Sequence, residues 1–80
     1  KNSQRKEEYA RYRSLTPREK EIFKLAADGK TNKEISSLLN IALPTVKMHR
    51  GNAFDKLNVH SSVEALKLYD SLGLGEKEDD

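Results

Sequence analysis

Three short signatures do most to limit what this chain can fold into. Thr16-Pro17-Arg18-Glu19, Thr31-Asn32-Lys33-Glu34 and Ser61-Ser62-Val63-Glu64 each place a hydroxyl residue three positions ahead of a glutamate. In such a capping box the hydroxyl accepts the free N–H of the third helical residue, and the glutamate reaches back to the N–H of the cap. Each box therefore marks a helix start. Gly29, Asn40 and Gly73 stand where the following apolar runs give out, and Gly or Asn there tolerates the left-handed backbone that ends a helix. The predicted elements are a helix from Thr16 to Gly29, one from Thr31 to about Asn40, one from about Leu43 to Leu57, and one from Ser61 to Leu72. No segment alternates with the period of a strand. The fold class is all-α, with four helices.

Helical periodicity picks out a small shared core: Leu15, Ile22, Leu25, Ala26, Ile35, Leu38, Ile41, Val46, Ala53, Leu57, Val59, Ala65, Leu66 and Tyr69. Each such side chain contributes about 1.5–3 kcal/mol on burial, before the entropy of ordering the chain is set against it. Residues 1–14 are polar and are read as a charged linker, with a short solvated helix as the alternative. Glu7 and Glu8 there stand at helical spacing from Arg11 and Tyr12, but no stripe is wide enough to bury itself. Tyr9 and Tyr12 are its candidates for stacking on the main body or on another domain. Residues 75–80 are read as a disordered acidic tail. The last five residues carry a net charge of −3, which leaves +5 on the rest of the chain. A mildly basic body suits contact with a few phosphates.

Composition closes off other classes. Without cysteine there is neither a disulfide framework nor a thiolate metal site. No apolar run is long enough to span a bilayer, and no signal peptide is visible, so a cytoplasmic protein is expected. A start at Lys1 points to a fragment of a longer chain. Paired carboxylates, a nucleophile with its base, and a phosphate loop are all missing, so catalysis is not expected. His49 and His60 have no clustered acids around them to complete a metal site.

The segment Leu43–Leu57 is the most informative. Stepping 100° per residue from Val46 brings Ala53 and Leu57 to the same side, with Phe54 at the flank. Pro44, Met48, Gly51 and Asp55 fall opposite, and Lys47 and Asn52 take the shoulders. A short amphipathic helix and a tight turn come before it, as in a helix-turn-helix that offers its second helix to the DNA major groove.

Leu15-Thr16-Pro17-Arg18-Glu19, Gly29-Lys30-Thr31-Asn32-Lys33-Glu34-Ile35, Thr45-Val46-Lys47-Met48-His49 and Lys56-Leu57-Asn58-Val59 recur in the order and spacing of a known family. Together they resemble the LuxR-type helix-turn-helix, over about Leu15 to Leu74. This is the four-helix output domain of NarL- and FixJ-like response regulators, of quorum-sensing activators and of free-standing regulators. The charged stretch before Leu15 is similar to the linker that joins a receiver domain to such an output domain. The resemblance implies a sequence-specific DNA-binding regulator of transcription with no cofactor. Its partners would be double-stranded DNA, a second copy of the chain, a preceding receiver domain and RNA polymerase.

The resemblance also implies roles residue by residue. Lys47, Met48 and Gly51 face base edges, with Thr45 close to the backbone. Lys47 suits guanine O6 or N7 and Met48 a thymine methyl, whereas Gly51 has no side chain to read with, so readout there is lost or replaced by close backbone approach. Thr31, Asn32, Lys33, His49, Arg50, Asn52 and Lys56 are the expected phosphate contacts. Val63, Lys67 and Asp70 on the last helix are the expected pairing surface, with Lys67 opposite Asp70 of the second copy. The chain departs from common family choices at Ala42, where a Ser or Thr cap is usual, and at Gly51, where relatives carry a longer polar residue. Arg50 lies only about 40° from Val46, a place usually aliphatic; its stem is expected on the core edge and its guanidinium in solvent or on a phosphate. Competing readings are a quorum-sensing or free-standing regulator, and a helical protein-interaction module that does not read DNA.

Overall fold

Capping chemistry accounts for most of the helix boundaries observed. The computed structural model describes residues 2–74, with side-chain surroundings from residue 5 onward. Within them lie α1 (Asn2–Arg13), α2 (Pro17–Ala27), α3 (Asn32–Leu39), α4 (Leu43–Leu57) and α5 (Ser62–Ser71). All regular structure among the described residues is helical, and none of these helices is long and apolar enough to cross a membrane. The acidic segment expected over 75–80 lies outside them.

The first two boxes close in full. Glu19 N–H donates to Thr16 Oγ1 at 3.2 Å and Thr16 N–H returns a bond to Glu19 Oε1 at 3.0 Å. The Thr31–Glu34 pair does the same at 3.1 and 2.8 Å. The third box closes only by half. Glu64 N–H donates to Ser61 Oγ, but the Glu64 carboxylate accepts from His60 N–H at 2.7 Å, one residue earlier than expected. Asn40 and Asn58 end α3 and α4 in the left-handed region at φ 56° and 59°. Gly29 and Gly73, at φ 90° and 70°, turn the chain where a Cβ would be strained. A pair of hydrogen bonds pins the turn between α3 and α4: Ser36 Oγ donates to the Ile41 carbonyl at 2.6 Å, and Ile41 N–H to the Ser36 carbonyl at 3.1 Å.

Among the described residues the four expected helices are joined by a fifth, because the segment that sequence leaves open as a linker or a short helix supplies a packed helix, Asn2–Arg13. Aliphatic residues alone give this segment no stripe, but two tyrosines at i, i+3 spacing do. Tyr9 and Tyr12 pack against the core. The Tyr12 ring lies 6.0 Å from Phe23, which lies 5.9 Å from Tyr69, both pairs steeply tilted as aromatic quadrupoles prefer. Tyr9 keeps its polar tip satisfied by donating to the Leu72 carbonyl at 3.0 Å, which ties α1 to the end of α5. Arg11 and Glu7 form the i, i+4 pair on the solvent side.

The core is centred on α2, against which both α4 and α5 pack. Ile22, Phe23, Ile35 and Val46 are its largest fully enclosed side chains. Most of the expected core is buried or packed against it, with two corrections. Leu38 is 58% exposed and Leu66 45% exposed. On α3 the neighbouring Leu39 turns in beside Ile35 instead. On α5 the buried stripe is Ala65, Leu68 and Leu72, which leaves Leu66 roughly 160° from Leu68 around the helix. Phe23, Ala27, Phe54 and Leu68 join the core beyond the set expected.

Candidate nucleic-acid interface

The expected reading helix α4 runs from Leu43 to Leu57, the span anticipated from sequence. Its inner face consists of Val46, Ala53, Phe54 and Leu57, all buried. Pro44, Lys47, Met48, Gly51, Asn52 and Asp55 are exposed along the opposite side. Met48 lies among them with 54% of its surface exposed. A single exposed apolar side chain is ordinary, and Leu38 and Val63 are at least as open, so Met48 is accessible on this face without being singled out by its exposure. Thr45 and His49 are half-buried at the margins.

Gly51 is unusual for a residue in the middle of a helix. A Cβ built on it would meet nothing in the protein, and its φ lies outside the left-handed region. The fold thus gives no reason for glycine here. Ala42 makes no side-chain cap, so α4 begins without the hydrogen bond that its neighbours have; Pro44 sits in its first turn.

α3 precedes α4 in sequence and packs against it. At the start of α3, Thr31 and Lys33 are exposed, and Asn32 is half-buried with its Oδ1 enclosed and unpartnered. As a phosphate contact Asn32 therefore has its amide N–H groups to give. Free amides at a helix start add to such a site.

Two expected phosphate residues are engaged elsewhere. Lys56 Nζ lies 2.8 Å from Glu19 Oε1, an ion pair between α4 and the capping carboxylate of α2. Glu19 is only 4% exposed. The Lys56 hydrogen bond, followed by that from Thr16 N–H, holds its carboxyl below the usual range; burial pulls the other way, and the charges of Lys56 and His49 add to the lowering. Lys56 thus compensates a buried carboxylate. Arg50 is turned inward as well. Its guanidinium sits 4.6 Å from the centre of the Phe54 ring and donates to Ser62 Oγ at 3.0 Å. The sequence marks its stem as core-edge but not the residues that receive its head. Sequence reasoning also misses the role of Glu19, although a polar residue in a capping box beside a core stripe is a usable signal.

Val63, Lys67 and Asp70 line one side of α5 and are exposed, Val63 by 63%. No group of three or more His, Asp or Glu gathers at metal-binding distance among the described residues.

Residues 13–69 match the model of the bacterial regulatory proteins of the luxR family, GerE. The chain belongs to the LuxR family. Three relatives illustrate the match. The first is the Escherichia coli protein named uncharacterized response regulatory protein YgeK, 51% identical over 59 residues, which are 74% of this chain and 40% of that protein. The second is the transcriptional regulatory protein LiaR of Bacillus subtilis, 50% identical over 54 residues, 68% of this chain and 26% of LiaR. The third is the nitrate/nitrite response regulator protein NarP of Escherichia coli, 47% identical over 55 residues, 69% of this chain and 26% of NarP. No solved structure gives a match. This LuxR-family chain spans two fifths or less of the length of these three relatives. Their names assign them to response and transcriptional regulation.

Proposed function

We propose that this chain is the DNA-reading output domain of a transcriptional regulator of the response-regulator type. The observation that carries the reading is the division of α4. Its inner face is locked into the core, while Lys47, Met48, Gly51 and Asn52 lie open along the other. In this reading Lys47 and Met48 contact base edges, Thr45 stands close to the DNA backbone, and Gly51 lets DNA approach the helix backbone. Thr31, Asn32, Lys33, His49 and Asn52 hold phosphates. Arg50 and Lys56 are left out of that set because their charged heads serve Phe54, Ser62 and Glu19.

The rest of the reading extends what the resemblance to response-regulator output domains implies. A receiver domain precedes this one in the full-length regulator, 15–74 is the output domain, and RNA polymerase is the machinery it acts upon in the cytoplasm. Two copies pair through Val63, Lys67 and Asp70 of α5 on inverted half-sites, as a two-fold axis requires.

Gel shifts at graded salt test the DNA reading. Binding through Z phosphates falls with a log–log slope of about −0.9Z. Lys47→Ala should weaken binding to the preferred site by about 5- to 150-fold and relax sequence preference, as expected for one lost base contact. Failure to bind any duplex at low salt, or unchanged binding by both Lys47→Ala and His49→Ala, would refute it.

A further inference from the structure

The two helices that matter most to this reading lean on a third more than on each other. α4 and α5 each pack on α2, and their backbones approach one another only slightly. Between them runs the Arg50 side chain. From the middle of α4 it lies over Phe54 and reaches Ser62, the first residue of α5.

Local stability is only part of what an arginine does in this place, since the Phe54 ring favours its guanidinium but its other surroundings do not. A cation at a helix N-terminus is opposed by the helix dipole. No carboxylate pairs with Arg50 among the described residues, and its Nε is buried without a hydrogen-bond partner. An aliphatic side chain would cover the same core edge without a buried, unsatisfied donor. What the arginine adds is a rigid planar head, fixed on one side by an aromatic ring and on the other by a hydroxyl at the start of α5.

We propose that Arg50 is a positioning residue that sets the angle between α4 and α5, and so sets the half-site spacing that a pair of these domains accepts. The inference rests on the DNA reading above and on pairing through α5. When two copies meet through α5, the separation and tilt of their two α4 helices depend on how firmly α4 is held to α5 within each copy. Half-sites are one helical turn or a multiple apart, and a change of one base pair shifts a site by about 3.4 Å and rotates it around the duplex. A loosened α4–α5 angle lets the pair accept neighbouring spacings. Recognition of each half-site, made by the outer face of α4, is unaffected.

Selection from a random duplex library reads both properties and needs no operator sequence at the outset. The wild-type chain is expected to enrich inverted half-sites at one dominant spacing. Arg50→Met keeps an unbranched stem over Phe54 and loses the donor; Ser62→Ala removes the acceptor. Both variants should enrich the same half-site sequence, while the preference for the dominant spacing over spacings one base pair longer or shorter falls by about fivefold or more. Arg50→Lys, which retains a cation and a donor, should recover part of that preference. Should Arg50→Met fail to fold, the Ser62→Ala arm decides alone.

An unchanged spacing distribution in the variants overturns the inference. So does a changed half-site sequence, which would make Arg50 a direct DNA contact. The underlying reading fails separately and visibly. A wild-type chain that enriches nothing defeats DNA binding, one that enriches only single half-sites defeats pairing, and either result removes this inference too.

Discussion

The two helices of the helix-turn-helix are held by opposite means. α3 is defined locally, by a closed Thr31–Glu34 box at its start and a left-handed Asn40 at its end. α4 starts at Ala42 with no side-chain cap and carries both a proline in its first turn and a glycine at its middle. Its order comes from outside itself, through Val46, Ala53, Phe54 and Leu57 in the core, Lys56 on Glu19 and Arg50 on Ser62. A helix offered to a partner therefore need not be an intrinsically good helix. Most helical stability in proteins is tertiary in any case, and here the outer face is left free of structural duty.

Cutting an external support of α4 puts this contrast under the greatest load. Lys56→Met leaves the Glu19 carboxylate buried without its cation, and a hydrogen bond to a charged group contributes about 1.5–3 kcal/mol. We expect a loss of about 2–3 kcal/mol at neutral pH, measured by urea denaturation. The loss should depend on pH. Glu19 binds its proton less tightly folded than unfolded. The unfolded chain therefore takes up more protons on acidification, and the stability this carboxylate provides is lost as pH falls through its folded-state pKa. The gap between wild type and Lys56→Met should be widest at neutral pH and should narrow below the ordinary carboxylate range. A gap independent of pH would show that Lys56 acts through packing alone.

The same division between local and external support explains what can be read from sequence. Thr16, Thr31, Asn40 and Gly73 act on backbone within four residues of themselves, so their effects are legible in one dimension. So is the outer face of α4, because a 100° step needs only Val46 as reference. The pairing of Lys56 with Glu19 joins positions 37 residues apart, and nothing in either local pattern points to the other. Tyr9 reaches Leu72 across 63 residues, which is why α1 resembles a linker in sequence. Leu38 and Leu66 are misplaced by periodicity for a related reason. Each lies beside a true core stripe, and only the position of α2 decides which neighbour turns inward.

Gly51 bears on the contrast from the other direction, because it weakens α4 without serving the fold. Nothing in the protein would meet a Cβ there. Alanine is favoured over glycine in a helix interior by about 0.5–1 kcal/mol. Gly51→Ala should therefore raise stability by about that amount while weakening binding to the preferred duplex, if the glycine is kept for close approach of DNA. Thermal melts and gel shifts on the same samples separate the two effects. A variant both more stable and equally tight on DNA would mean that Gly51 is tolerated, not used.

The smallest effect expected comes from supplying α4 with the local device it lacks. Ala42 already has the extended backbone of an N-cap, at φ −65° and ψ 145°. Ala42→Ser puts a hydroxyl where it can accept an N–H of the first turn without moving the chain. A serine cap in place of alanine stabilises by about 0.5–2 kcal/mol. The lower end applies here, because Pro44 already restricts the first turn and removes one N–H from those needing a partner. The gain should appear as a shift in the urea midpoint with no change in slope. A gain near the upper end of that range would mean that the start of α4 frays in the wild-type chain and that the external supports act mainly on its C-terminal half. No gain would mean that Val46, anchored one turn in, already holds the start of the helix as firmly as a cap could.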